Sequence, residues 1–355
     1  MKKHVILAAA AILTLAACTK SETGPEGSSV SFQTVSYLSK AGITTTEFPQ
    51  SESFGVFAWS AGTVGEYFME NETVSYDTED KLWKPSTTYY WPKNATVDFI
   101  SFYPARLSGL SVEPAKLTFN NINVWNAQQD ILYADKAAGF SDNAGLVSQQ
   151  LNASNGVPTI FRHALSKIKV KVVLAYDHKE DPDGTVYDWE VTLNSLSISN
   201  VKTSGSVTLT LASSPAEGII EWERPQGNVW TPDAAVNTPV NYLAIPQAMT
   251  ALKAIDVIPE TFVVPQTLST GGQKVNLTFS VKTKRNGVDF LTEPNIAVSV
   301  DLVSTEIPAW EMNHSVAYTL NICPAGEREL KPITFDPSVA QWQNDYVTTV
   351  VDLGL

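Results

Sequence analysis

Histidine and cysteine are scarce in this chain, with four of one and two of the other in 355 residues. That scarcity removes most metal and nucleophile chemistry. No cysteine pair is spaced for zinc, and no H-E-x-x-H, G-x-S-x-G, P-loop or G-x-G-x-x-G segment occurs. His4, His163, His178 and His314 lie far apart along the chain, so enzyme chemistry has no anchor, and neither a metal nor an organic cofactor is expected. Basic residues are in the minority as well: 24 Lys and Arg face 37 Asp and Glu, for a formal net charge of −13. Such a chain repels phosphate backbones, which excludes nucleic acid as a partner.

Long apolar runs are missing except at the start. There, Lys2-Lys3 precede an apolar stretch from Val5 to Ala17, roughly 13 residues and short of the about 20 that span a bilayer. The stretch ends in Leu15-Ala16-Ala17-Cys18, which completes a lipoprotein signal. Residues 1–17 are therefore expected to be removed, and Cys18 to carry acyl chains that hold the mature chain to the outer membrane. With Cys18 lipidated, Cys323 has no disulfide partner, and its place after Ile322 suits a small buried hydrophobe.

Residues 18–29 are polar and contain glycine and proline, the composition of a flexible tether. Beyond them, alternation with a period of two recurs almost to the end and helical periodicity is absent, so the chain reads as all-β. Ile168, Val170, Val172 and Leu174 share one strand face, with Lys167, Lys169 and Lys171 on the other. Val275-Leu277-Phe279-Val281, Ile296-Val298-Val300-Leu302 and Val316-Tyr318-Leu320-Ile322 repeat the pattern. Turn clusters such as Arg285-Asn286-Gly287 and Asp181-Pro182-Asp183-Gly184 indicate antiparallel sandwiches. Alternation lapses from Ala137 to Asn155, which predicts two domains, 30–157 and 158–355. A weak echo between Trp83-Lys84-Pro85 and Trp230-Thr231-Pro232 fits two related domains.

Three segments imitate functional sites. Glu221-Trp222-Glu223 resembles a carboxylate pair, but acids alternating around an apolar residue are ordinarily the wet face of a strand. Asp181, Asp183, Gly184 and Glu190 match positions of a calcium loop whose first ligand would be Lys179, a cation, so a hairpin turn is the better reading. Tyr89-Tyr90-Trp91-Pro92 could stack a sugar, yet aromatics beside proline more often lock a sandwich corner.

Several segments in order resemble the Mfa-like fimbrillin family of Bacteroidales. In the first half these are Phe54-Gly55-Val56-Phe57-Ala58-Trp59, Tyr89-Tyr90-Trp91-Pro92 and Gln129-Asp130-Ile131-Leu132-Tyr133-Ala134. The second half adds Phe161 to Ile168, Tyr242 to Pro246, Trp310 with Tyr318-Thr319-Leu320, and Ile333-Thr334-Phe335 with Val339 and Trp342. The resemblance implies two tandem transthyretin-like antiparallel β-sandwich domains, lipoprotein export, and a structural role in a surface fimbria. It also implies that a trypsin-like protease cuts after the first strand, which leaves and is replaced by the C-terminal strand of a neighbouring subunit.

The position matching the family's cleaved arginine is Lys40, before Ala41; a lysine-tolerant protease would cut there, whereas an Arg-specific one would leave the subunit uncut, in an anchor or non-polymeric role. The donor strand would be Tyr346, Val347, Thr348, Thr349, Val350, Val351, Asp352 and Leu353, a proline-free, β-branched run. Its favoured inward face is Val347, Thr349, Val351 and Leu353, because the opposite register buries Asp352. The partners expected are other fimbrial subunits, the outer membrane through Cys18, and the processing protease. The rival reading is a monomeric surface lipoprotein that binds glycan or a host ligand.

Overall fold

The structure, a computed structural model, describes residues 29–35, 48–60, 67–92, 95–141, 156–211, 213–214, 229–233, 240–241, 246–324 and 334–341. The chain begins with β1 (Phe32–Val35), β2 (Ser53–Ser60), β3 (Tyr67–Asp77), β4 (Leu82–Pro85) and β5 (Val97–Tyr103). The hairpin β6 (Leu110–Glu113) and β7 (Lys116–Asn123) runs into a single helical turn, α1 (Val124–Ala127). Next come β8 (Leu132–Ala134), β9 (Lys136–Phe140), β10 (Val157–His163), β11 (Ser166–Leu174) and β12 (His178–Glu180). Then follow β13 (Val186–Ser199), β14 (Ser204–Thr210), β15 (Ser213–Ser214), β16 (Thr231–Pro232), β17 (Val240–Asn241) and β18 (Gln247–Ala248). The last part holds β19 (Ile255–Val263), β20 (Gln266–Thr267), β21 (Lys274–Arg285), β22 (Val288–Asp301), β23 (Ala309–Trp310), β24 (His314–Ile322) and β25 (Thr334–Gln341). The protein is all-β.

The N-terminal strands close on themselves. β5 pairs with β2, β2 with β3, β3 with β4, β4 with β1, β1 with β10, β10 with β8, and β8 returns to β5. β5 is covered on both faces, so it reads as a nearly continuous apolar run, whereas β3 keeps exposed residues along its length. Phe54, Val56 and Ala58 of β2 and Val97 and Phe99 of β5 fill the interior. Ile100 and Phe102 of β5 point outward, where Leu117 and Phe119 of β7 and Val207 and Leu209 of β14 cover them. Those two strands belong to a second sheet, ordered β16-β14-β7-β6, laid over the ring. Gly55 faces Phe102 across the ladder, and a Cβ there would lie 2.2 Å from the ring's Cζ, so only glycine lets that ring lie flat on β2.

β9 and β15 branch from the ring at β5, β20 pairs with β23, and two further sheets, β19-β11-β24-β25 and β12-β13-β21-β22, face each other. Between them, Ile168, Val170, Val172 and Leu174 meet Val275, Leu277, Phe279 and Val281 in one core, joined by Val316, Tyr318, Leu320 and Ile322. The lysines on the opposite face of β11 stay at the surface in ion pairs, Lys167 with Glu260 at 2.8 Å and Lys169 with Asp256 at 3.3 Å. Asn286 and Gly287 turn β21 into β22 with φ of 47° and 78°, the primed-turn geometry that their identities favour.

The pairing is not wholly antiparallel: β1 runs parallel to β10 and β11 parallel to β24, each pair joined only through long connections. Alternation fixes which face a residue takes but carries no information on strand direction. The boundary at 157/158 also falls inside β10, and the ring and its covering sheet reach past it, since β10 pairs with β1 and β8 and β14 with β7. The lapse in alternation separates β9 and β10, two members of one sheet. Nor is the tryptophan echo a domain repeat, for Trp83 lines the ring interior while Trp230 lies in the outer cluster and donates its Nε1 proton to the Ala164 carbonyl at 2.7 Å.

Candidate functional site

The segments that imitate chemistry resolve into surface structure. Asp181 pairs with Lys179 at 2.5 Å, Asp183 accepts a hydrogen bond from the Thr185 amide at 2.9 Å, and Glu190 pairs with Lys284 at 3.0 Å. Gly184, with φ of 81°, completes a hairpin turn between β12 and β13. Among the described residues no group of three His, Cys, Asp or Glu side chains could hold a metal ion. His163 meets Asp130 at 2.6 Å, His178 meets Asp188 at 2.7 Å, and His314 faces the Met312 carbonyl at 2.9 Å. In the aromatic cluster, Trp91 is buried against Phe99 and the Tyr89 hydroxyl donates to Glu72, which leaves Tyr90 as its one exposed ring. Cys323 is half-buried, and Glu221-Trp222-Glu223 lies outside the described residues.

What the structure does assemble is a seat for β1. This strand has four residues and a single ladder pair with β4, Phe32 opposite Trp83. Its other edge follows β10 in parallel from Phe32 beside Val157 to Val35 beside Ile160. Just before it, the Val30 amide donates to the Tyr89 carbonyl at 2.8 Å, and the Val157 amide donates to the Ser31 carbonyl at 2.7 Å. The short strand nevertheless supplies the centre of the ring interior. Phe32 is 0% exposed and Val30 2%. The Phe32 ring meets Phe54 at 5.9 Å and Phe99 at 5.5 Å, nearly perpendicular to both, the edge-to-face arrangement that the aromatic quadrupole favours.

The walls of the seat are tied down independently of β1. Phe48 packs on Phe54, Trp83, Tyr103 and Phe161. Arg162 of β10 reaches Asp135, which follows β8, through Nη2 at 2.7 Å and Nε at 3.1 Å, with both side chains buried. Burial pushes the Tyr103 phenol above its ordinary pKa, and its hydroxyl donates to Glu52 at 3.1 Å. β10 is thus held to β8 along the edge away from β1, by backbone pairing and by this buried ion pair.

Sequence alone does not mark the aromatic seat, Phe32 with Phe54, Phe99 and Trp83, although Phe32 lies in the first strand, the one expected to leave after cleavage at Lys40. Its signal was the spacing of Val30 and Phe32, too short to score as alternation. The other expected positions, Cys18, Lys40, Ala41 and Tyr346 to Leu353, lie outside the described residues. β25, the last described strand, is the outer member of its sheet and pairs with β24.

Residues 40–342 match the family described as fimbrillin-like. The chain belongs to that family. Among solved structures, this fimbrillin is similar to a fimbrial protein from Bacteroides vulgatus, at 17% identity, with a TM-score of 0.51 and coverage of 89% of this chain and 99% of that one. A proposed cell adhesion protein from Bacteroides uniformis shares 18% identity over 89% of this chain and 98% of its own, with a TM-score of 0.47. The tip fimbrial protein Mfa3 from Porphyromonas gingivalis, at 10% identity and a TM-score of 0.39, aligns over 82% of this chain and 94% of its own. No curated protein matches the fimbrillin in sequence.

The family is one of fimbrial structural proteins, not enzymes, and membership puts the fimbrillin among subunits of cell-surface fimbriae. The segments that carried the resemblance are largely structural. Phe54 to Trp59 is most of β2, Phe161 to Ile168 spans the end of β10 and the start of β11, and Trp310 and Tyr318 share a hydrogen bond in the second core.

Proposed function

We propose that this fimbrillin is a polymerising subunit, exported as a lipoprotein tethered to the outer membrane through Cys18. It is released for assembly when a trypsin-like protease cuts between Lys40 and Ala41. β1 then leaves with the excised segment, and the C-terminal strand of a neighbouring subunit, equivalent to Tyr346–Leu353 here, takes its place.

The observation that carries this reading is the mismatch between how little main chain holds β1 and how much core it fills. The attachment is one ladder pair with β4 and four residues alongside β10, set against Phe32 at the centre of the ring interior. Removing them uncovers unpaired backbone groups on two neighbours and an apolar slot, both costly enough in water to demand a new strand.

Lys40→Gln should leave a folded, soluble precursor that does not polymerise, and deletion of Tyr346 to Leu355 should leave subunits that are cut but pass no strand to a neighbour, so that no ladder extends from them. SDS-resistant ladders from unboiled surface fractions read both variants, and wild-type ladders from either would remove the corresponding step. Intact mass of the mature N-terminus tests the anchor: an acylated Cys18 is expected, and an unmodified cysteine or a different N-terminus would refute it.

A further inference from the structure

We propose that the β1 seat is selective for an incoming strand with an aromatic side chain at the position of Phe32, so that the strand it accepts comes from a different chain and not from a second copy of this one. The inference rests on the strand-replacement reading and specifies the partner.

The seat is shaped around a ring. Phe32 presents itself to Phe54 and Phe99 at interplanar angles of 88° and 89°. Its ladder neighbours are Trp83 on one side and Val157 on the other, both buried and apolar. Phe54 is itself braced by Trp83, Phe48 and Phe161, with centroids 5.5, 5.7 and 5.2 Å away. This wall cannot collapse onto a smaller side chain without disturbing three other rings, because closely packed interiors relax only partly around a lost group.

The chain's own terminal segment does not supply what this seat takes. Its favoured inward set, Val347, Thr349, Val351 and Leu353, contains no ring. Its other set offers Tyr346, whose hydroxyl finds no acceptor on Phe54, Phe99, Trp83 or Val157, and brings Asp352 to the same face. One register forfeits both edge-to-face contacts, and the other buries a hydroxyl and a carboxylate. Two aromatic contacts correspond to about tenfold or more in affinity. Self-donation is thus at a disadvantage against a strand that repeats the Val30-x-Phe32 pattern.

The test uses the full chain with a specific protease recognition sequence inserted after Lys40 and cleavage verified by mass. Three fluorescent peptides compete for the cut protein: residues 29–40, the same peptide with Phe32→Leu, and residues 343–355 of this chain. Retained fluorescence after gel filtration should be about tenfold higher for the first than for either other. Equal retention of the Phe32→Leu or the C-terminal peptide overturns the selectivity while leaving strand replacement intact. If the cut protein takes up none of the three, replacement and selectivity fall together.

Discussion

Phe32→Ala is expected to destabilise the precursor by about 3–5 kcal/mol, the range for removing a fully buried aromatic from a core that relaxes only partly. Phe32 is at the upper end of that range on structural grounds. It is completely buried, it contacts two rings edge to face, and the rings behind it are held by Trp83, Phe48 and Phe161. Urea unfolding followed by tryptophan fluorescence reads the loss, because Trp83 is the cross-strand neighbour of Phe32. Phe32→Leu keeps most of the volume and should cost less than half as much. A loss below about 1 kcal/mol for the alanine variant would mean that β1 is not part of the cooperative core.

Tyr318→Phe is expected to cost about 1–3 kcal/mol for each of two buried groups it orphans. The Tyr318 hydroxyl accepts the Trp310 Nε1 proton at 2.7 Å and donates its own proton to the Leu302 carbonyl at 3.2 Å, all within the second core. Removing one oxygen leaves a donor and an acceptor facing each other without a partner. Thermal melts by near-ultraviolet circular dichroism measure this, and a midpoint within a degree of wild type would refute it. The same residue gives a sign for alkaline pH. Burial pushes the Tyr318 phenol well above its ordinary value. An unfolded tyrosine titrates near about 10, so the folded state holds this proton more tightly than the unfolded state does. That contribution is complete below about pH 10 and is lost as pH rises beyond it. Tyr318→Phe should flatten that alkaline limb.

The second core was the most legible part of the molecule. In β11, β21 and β24 one face is buried and the other solvated, so Ile168 to Leu174, Val275 to Val281 and Val316 to Ile322 announce their own direction inward. Asn286-Gly287 and Gly184 mark hairpins because positive φ favours asparagine and glycine. The ring was harder to read. β5, covered on both sides, has a nearly continuous apolar sequence that conceals which residues face the interior, and nothing local says that β8 returns to β5. Long-range pairing such as β14 with β7 decides where one body of the fold ends, and a lapse in alternation cannot report it. The seat of β1 escaped for the same reason, since Phe32, Phe54 and Phe99 come from three separate strands.

Closure of that ring changes what the loss of one strand means. In an open sheet, stripping the outermost strand exposes the next, and the number of free edges stays at two. A closed ring starts with none, and taking out β1 creates both at once, one along β4 and one along β10. On the proposed strand replacement, loss of β1 would open both edges in a single step, one on each side of the vacated position. A fimbrillin that joined its neighbours by that replacement could be stored at high local concentration, because the two edges along β4 and β10 do not exist until β1 leaves.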